Sequence, residues 1–407
     1  MSRLVFIEAN TTGTGMLALT RAAGWGLDPV FYTNNPDRYA GLKETGCQVH
    51  VCDTNDLNQL RKHLAETIDP SGIQGITTTS EFYLEQVAAL SAEYDLPGNP
   101  LEVIHRVRNK AETRRRLAQA GMLQPPFKVV RHESELATAL KDIGLPCVIK
   151  PTEDSGSNAV RLCISLEVAE QHVSNILSHK FNVRGQLAPK EVLIERYIVA
   201  PEYSVETISW QGKTDIIGIT QKSLTGLPFF VEAGHLFPAK LSSVQSDTII
   251  QTVLHALEII GFRNGVAHTE IKWTEKGCSI IEINGRLAGG MIPELIRLTT
   301  GVDMLEQQIL CAFRGPTIQQ VKYEGAAGIR FLMSDTEGRV EQIIGKDQAI
   351  RISHVKEVKV NVLPGERVTP PQNAYHRLGH VIAEGSTFEE TVGTLDHAMK
   401  LIQIIVK

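Results

Sequence analysis

Short apolar runs alternate with helix-forming stretches over the first part of the chain, and this alternation restricts the fold more than any other feature. "RLVFIEAN" has the content of a strand, "TTGTG" that of a tight turn, and "MLALTRAAGWG" the apolar spacing of a helix closed by glycine; "DPVFYTN" is a second strand. "GCQVHVCDT", the helix "DLNQLRKHLAET" and "IQGITTTSEFYLEQVAALSAEY" repeat the pattern up to Leu96. Strands joined by helices pair in parallel, so the sequence predicts an N-terminal α/β domain with a Rossmann-like parallel sheet. "PGNP" at Pro97 to Pro100 punctuates it and sets a boundary near residue 100.

Beyond that boundary "LEVIHRVRNKAETRRRLAQAGM" reads as one or two helices, and Pro125-Pro126 opens a new unit. "FKVVR", a helix from Ser134 to Ile143, "PCVIKPT", "AVRLCIS", a helix from Leu166 to His179 and "EVLIERYI" make a compact sheet-and-helix lobe over 125–198. The strands "YSVETISWQG" and "KTDIIGITQKS", the long helix "SDTIIQTVLHALEIIG" and the hairpin "VAHTEIKWTEKGCSIIEING" follow, so 101–315 reads as the core. Residues 316–407 form a small strand-rich C-terminal domain that ends in an amphipathic helix and an apolar tail. The fold class is therefore α/β, with an α+β core.

Composition narrows the partners. The 407 residues are 42% hydrophobic and 21% charged, enough for two or three globular domains. A formal net charge of -5 offers no long-range attraction to nucleic acid or to an anionic membrane, and neither is expected as a partner. Six scattered cysteines without a C-x-x-C pair read as buried small hydrophobes in a reducing compartment. "MSRLVFIEANTTGTG" lacks the apolar length of a signal segment, and no stretch approaches the roughly 18 apolar residues of a membrane helix, so the expected location is cytoplasmic.

The chemistry is concentrated in the hairpin. Side chains of a strand alternate between faces, so Glu282, Asn284 and Arg286 share one face of "SIIEINGRLAGG" while Ile281 and Ile283 take the other. His268, Glu270 and Lys272 form a similar polar face on "AHTEIKWT", with "TEKG" as the turn between the strands. Pairing Ile271 with Ile281 sets Glu270 opposite Glu282 within about 5.5 Å. Two carboxylates so placed repel, and a divalent cation removes the conflict. Mg²⁺ suits carboxylate and amide oxygens better than Zn²⁺ does, and it commonly completes its shell with phosphate oxygens. Asn284 can add a neutral oxygen, and Arg286 a permanent cation for anionic substrate charge. The alternative is an edge strand whose solvent face happens to be polar.

Two further signals are weak alone. "CVIKPTEDSGSNAVRL" ends a strand at Lys150 and then gives a loop whose backbone N–H groups can be aimed at phosphate. Its spacing is not that of a G-x-x-x-x-G-K-[ST] loop, and a plain hairpin turn would look similar. Lys110 sits in "RVRNKAETRRRL", among arginines that read as a solvated helix face, and "TTGTG" lacks the third glycine of a dinucleotide fingerprint.

Taken in order, "IKP", "SGSNAV", "LIERYI", "EYSVE", "HTEI" and "EINGRLAGG" resemble the ATP-grasp superfamily, and within it the L-amino-acid ligase branch of dipeptide and amide synthetases. The resemblance covers essentially the whole chain, including "RLGHVIAEGSTFEETV" near its end. It implies an ATP-grasp fold with a pre-ATP-grasp N-terminal domain. Lys110 and Lys150 are then implied to contact ATP phosphates, with the loop of Ser155, Gly156 and Ser157 closing over them. It assigns Glu195 and the backbone of Tyr197 and Ile198 to adenine, and Glu202 to the ribose. Glu270, Glu282 and Asn284 match the metal-binding set for Mg²⁺, or Mn²⁺ in its place. Arg286, with Asn284 beside it, matches the catalytic arginine that stabilises the acyl-phosphate. Glu81 stands where related ligases hold a substrate amino group.

"FVEAGHLFPAKL", with Glu232 and His235, resembles a segment that approaches nucleotide and substrate; a structural hydrogen bond is the other reading of His235. The family varies its acceptor pocket near Gly289, Gly290 and Met291, and a glycine at 290 implies that no bulky side chain fills it. The implied partners are ATP, an amino-acid or other small carboxylate and an amine acceptor, with a homodimer as the family's assembly. The implied activity is an ADP-forming carboxylate–amine ligase. A carboxylase-like ATP-grasp enzyme and a catalytically silent nucleotide-binding module are the alternatives; the first lacks a biotinyl-lysine segment here, and the second would not be expected to keep Glu270, Glu282, Asn284 and Arg286 together.

Overall fold

A computed structural model describes residues 3–11, 14–317 and 321–407; Thr12 and Gly13 of the "TTGTG" turn lie outside the described residues. In the N-terminal unit β1 (Arg3–Ile7), β2 (Asp28–Thr33), β3 (Gln48–Val51) and β4 (Ile73–Thr77) pair in parallel in the order β3-β2-β1-β4. The near-continuous apolar runs of β1 and β2 are buried on both faces, as parallel strands between helices require. Their carboxyl ends bring Glu8, Thr33 and Thr78 to one edge, where sheets of this kind bind ligands. Glu8 stands there at φ 53, fully buried, accepting from Thr33 Oγ1, Thr54 Oγ1, the Asn34 N–H and the Tyr39 hydroxyl.

The charged stretch after residue 100 is two helices, Leu101–Arg108 and Lys110–Gln119. Asn109 breaks them: its side chain caps the second helix by accepting from the N–H groups of Ala111 and Glu112. The cap places Lys110 at the first position of the new helix. The next lobe is a four-stranded antiparallel sheet of β5 (Phe127–Val130), β6 (Cys147–Pro151), β7 (Arg161–Cys163) and β8 (Val192–Arg196), in the order β5-β8-β6-β7. The helices Leu136–Ile143 and Leu166–Ser178 cover it through Leu136, Ile143, Ala169 and Val173.

The remaining strands are β9 (Glu202–Trp210), β10 (Lys213–Thr225), β11 (Val231–Phe237), β12 (Gly265–Thr274), β13 (Gly277–Asn284), β14 (Ala326–Leu332), β15 (Gly338–Ile344), β16 (Val355–Val360), β17 (Arg367–Val368), β18 (Gly379–Gly385) and β19 (Gln403–Val406). Eight of them form one sheet, β13-β12-β9-β10-β11-β14-β18-β16. That sheet runs through the expected boundary at residue 315. The last 92 residues (316–407) supply β14, β16 and β18 to it rather than a wholly separate sheet, because β11 pairs antiparallel with β14 through Gly234↔Arg330 to Phe237↔Ala327. Only β15, β17 and β19 form a small sheet of their own. The helix Ser243–Ile260 covers the β9–β13 side with Ile249, Val253 and Leu257.

Strand β11 and the helices Ile292–Thr300 and Met304–Cys311 were not apparent as elements in the sequence. Among the described residues no helix is long and apolar enough to cross a membrane.

Candidate active site

The β12–β13 hairpin turns at Glu275 and Lys276, and Glu270 pairs with Glu282. The neighbouring pair differs from expectation: Ile271 faces Ile280, not Ile281, because a β-bulge falls between Glu270 and Ile271. The extra residue turns Ile281 out of the core and into the cleft beside Glu282, so it does not share a face with Ile283, which stays buried. His268, Glu270, Lys272, Glu282, Asn284 and Arg286 all face one cleft of about 1040 Å³ between the lobes. The face is therefore the wall of a cavity rather than the solvent side of an edge.

Each acid is already matched by a lysine. Lys110 Nζ lies 3.2 Å from Oε1 of Glu282 and donates to the Asp154 carbonyl at 2.9 Å. Lys222, in β10, is buried with Nζ within 2.9 Å of Glu270, 3.0 Å of Glu202 and 3.1 Å of Glu232. Burial alone would lower its pKa; the three carboxylates outweigh that and hold it well above the usual lysine value. Glu270, in turn, is raised by burial but held far below the carboxylate range by Lys222 and His268. The His268 ring lies between Glu206, at 2.7 Å, and Glu270, at 3.2 Å, and these acids overcome burial to raise it to about 9.

Lys150, the penultimate residue of β6, lies in the cleft with Nζ 2.7 Å from Oε2 of Glu195, whose Oε1 receives Arg114 Nε at 2.5 Å. Burial pushes the Glu195 carboxyl up, but Arg114 and Lys150 hold it at about 2. Both oxygens are thus engaged, so Glu195 can serve a base through Lys150 or its backbone but not through a free carboxylate. Next to it Tyr197 faces Phe230 with ring centroids 5.7 Å apart, and Lys272 Nζ takes the Ile198 carbonyl at 2.9 Å. Glu202 lines the same end, bonded to Lys222 and 3.8 Å from Lys272. An aromatic pair beside lysines and a carboxylate gives this part of the cleft a chemistry that suits a purine and its ribose.

The loop after β6 lines the same cleft. Asp154 accepts from the Ser155 N–H and from Asn158 Nδ2, and Gly156 and Ser157 take the left-handed backbone at φ 73 and 59. Arg286 reaches it, with Nη2 3.3 Å from Ser155 Oγ, while its Nε lies 2.6 Å from Oε2 of Glu81. Glu81, expected to meet a substrate amine, is buried and does not line the cleft; its carboxylate is held by Arg286.

Gly289, Gly290 and Met291, expected at the acceptor pocket, line the same cleft, with Gly290 and Met291 at φ 58 and 62. The space a side chain at 290 would take is not open: a Cβ there would collide with His235 Nε2. His235 is fully buried, its ring nitrogens make no hydrogen bond, and it packs edge-on to Phe331. A structural hydrogen bond is thus not its role. Burial lowers it to about 3 despite Glu232, 3.8 Å away, so it is neutral near pH 7. Arg377 stacks on Phe331 at 3.9 Å and bonds Glu232 at 2.6 Å, which brings the C-terminal strands to the site.

Lys222, Phe230 and Arg377 carried no role in the sequence, and Arg114, expected on a solvated helix face, is instead buried, because it donates to Glu195 and to the Ile280 carbonyl. Lys222 could have been found by its alternation with Thr220 and Leu224 in "ITQKSLT"; Arg377 carried no local signal.

The donor set fits a divalent cation. Lys222 and His268 both make their closest approach to Oε1 of Glu270, and Lys110 to Oε1 of Glu282, which leaves one oxygen of each acid, with Asn284, as hard donors. Among the described residues no group of three or more His, Cys, Asp or Glu side chains forms a metal cage.

Comparison with known proteins points the same way. Residues 143–294 match the family model for an ATP-grasp domain, and residues 330–407 match that for L-amino acid ligase C-terminal domain 2. An uncharacterised protein of Sinorhizobium fredii is 30% identical over 380 residues, 93% of this chain and 78% of that one. Dapdiamide A synthase of Enterobacter agglomerans is 26% identical over 378 residues, 89% and 87% of the two chains. The crystal structure of an L-amino acid ligase from Bacillus licheniformis shares the fold, with a TM-score of 0.83 at 21% identity over 100% of this chain and 99% of that one.

Proposed function

Because this chain belongs to the ATP-grasp superfamily, in its L-amino-acid ligase branch, we propose that it is an ADP-forming ligase joining an amino-acid or related carboxylate to an amine. The observation that carries the reading is the paired acids Glu270 and Glu282 facing Lys110, Lys150, Lys222 and Arg286 across one cleft. The substrate carboxylate attacks the γ-phosphate of ATP, giving an acyl-phosphate and ADP; the amine then displaces phosphate. Little covalent chemistry falls to side chains, which act by position and charge.

In this reading Lys110 and Lys150 hold the phosphates, and Tyr197, Ile198 and Phe230 the adenine. Glu202 takes the ribose. Glu270, Glu282 and Asn284 hold Mg²⁺, which when bound screens the phosphate charge. Arg286 stabilises the acyl-phosphate and the tetrahedral oxyanion formed by the amine. Ser155, Gly156 and Ser157 close over the phosphates and exclude water, which would hydrolyse the acyl-phosphate. His235, neutral and without a hydrogen bond, stands at the acceptor pocket with Gly290 and Met291. A cytoplasmic location belongs to the same reading and is supported by six unpaired cysteines.

The test is phosphate release from ATP and Mg²⁺ across the twenty amino acids, singly and in pairs, with mass detection of condensed products. Release confined to pairs, with a product heavier by the expected condensation, is the expected outcome. No release with any of the twenty would overturn the assignment of a proteinogenic amino acid, and silence that extends to non-proteinogenic acids would overturn the ligase reading in favour of a nucleotide-binding module.

A further inference from the structure

Two side chains hold Glu270, and they differ in freedom. Lys222 divides itself among Glu202, Glu232 and Glu270, so a phosphate or metal entering the cleft changes its best partner. His268 has no such choice. Its ring is buried, with Nδ1 2.7 Å from Oε1 of Glu206 and Nε2 3.2 Å from Oε1 of Glu270. Both neighbours of the ring are carboxylate oxygens, so each ring nitrogen donates.

The anchor is rigid for reasons of register. Glu206 lies directly across from His268 in the β9–β12 pairing and is itself 1% exposed. Its Oε1 also accepts from Ser204 Oγ at 2.9 Å. Glu270 follows His268 by two residues on the same strand and face. A line from Ser204 through Glu206 and His268 to Glu270 is thus built into two central strands of the large sheet, which are less free to move than the loop that lines the cleft.

We propose that His268 is a positioning residue for the metal centre: anchored by Glu206, it fixes one oxygen of Glu270 and so presents the other to the divalent cation. The inference rests on the reading of Glu270 and Glu282 as the metal-holding acids. Outer partners that orient a ligating group typically change metal affinity by about 10–100-fold when removed. Lys222 balances charge, whereas His268 sets direction.

The experiment uses Mn²⁺ as a paramagnetic probe in place of Mg²⁺. Free Mn²⁺ is followed by electron paramagnetic resonance in the full chain with ADP, against an ADP–Mn²⁺ blank, and metal-free ADP binding is measured calorimetrically. His268→Ala is expected to weaken Mn²⁺ binding about 10–100-fold, with metal-free ADP affinity within about twofold. His268→Gln, whose amide can still donate to Glu270, is expected to recover part of the loss. Parent-like Mn²⁺ affinity in His268→Ala overturns the proposal, and so does a parallel loss of metal-free ADP binding, which would mark a merely structural role. If His268→Ala does not fold, Glu206→Gln decides: weaker Mn²⁺ binding supports the anchor and unchanged binding overturns it. Parent-like Mn²⁺ binding in Glu270→Gln would instead refute the metal reading itself, and the role of His268 with it.

Discussion

Arg286 Nε lies 2.6 Å from Oε2 of Glu81, so the guanidinium just beyond the β12–β13 hairpin forms an ion pair with the N-terminal unit. The same side chain touches Ser155 in the loop lining the cleft and donates to the Leu287 carbonyl at 2.8 Å. An arginine can serve three directions at once because its donors are spread over a rigid plane; a lysine cannot.

From this geometry, both Arg286→Ala and Arg286→Lys are expected to lower the rate of amide synthesis by about 10²–10³-fold, the usual cost of losing one oxyanion-stabilising donor. The KM for ATP should stay within a few-fold, since the nucleotide meets other groups. Steady-state kinetics on the accepted substrate pair checks this, and amide synthesis by Arg286→Ala within a few-fold of the parent would refute the assigned role.

Among the described residues Lys222 is the one cation shared by Glu202, Glu232 and Glu270. Replacing it by methionine keeps the aliphatic stem and removes the shared cation, leaving Glu232 to Arg377, Glu270 to His268 and Glu202 to Lys272, 3.8 Å away. The expected loss of folding stability in metal-free buffer is about 3–5 kcal/mol, typical of breaking a buried pair from one side. Mg²⁺ with ADP should restore more stability to Lys222→Met than it adds to the parent, because it supplies the missing charge. Urea unfolding of both proteins, with and without Mg²⁺ and ADP, gives the comparison.

Much of this was legible in the sequence because it is periodic. Alternation by two placed Glu270, Glu282 and Asn284 on one face, and apolar spacing located the parallel sheet and the helix Ser243–Ile260. What stayed hidden depends on contacts between distant segments. The bulge beside Glu270 shifts the β12–β13 register, and no local pattern around Ile281 records it. Arg377 meets Glu232 only because β14 and β18 extend the large sheet, and Glu81 meets Arg286 only because two units dock. A conformationally free glycine at 290 suggested open space; the fold fills that space with His235, from a strand some fifty-five residues earlier.

Stability should depend on pH in two directions. His235 is held at about 3 in the folded chain, chiefly by burial, against about 6.5 when unfolded. Between those values the unfolded state binds the extra proton, so stability falls as pH drops below about 6.5. His172 and His380 are lowered by burial as well and add to the same slope. His268 acts oppositely: raised to about 9, it contributes stability that is complete below about 6.5 and lost as pH rises through 9. Melting temperature should therefore decline from pH 6.5 to 5 and again from 7 to 9. His235→Gln should flatten the acid limb and leave the alkaline limb as steep as in the parent.

Gly290 and Gly289 are adjacent but carry different constraints. A Cβ at 289 meets nothing within 4 Å, whereas one at 290 runs into the ring of His235 and lies 3.5 Å from Phe331, on a backbone at φ 58 that L side chains rarely adopt. His235 cannot retreat, because it is fully buried against Phe331, and Phe331 is itself covered by Arg377. The strain of Gly290→Ala must then be taken up by the turn that carries Met291 into the proposed acceptor end of the cleft. The expected result is a KM for the amine raised by about tenfold or more, roughly the 1–3 kcal/mol of overpacking, with the KM for ATP close to the parent's and a smaller effect for Gly289→Ala. The double variant Gly290→Ala, His235→Ala separates the two sources of strain. If the collision dominates, removing the imidazole recovers amine affinity beyond what the single effects would sum to; if the positive φ dominates, it does not.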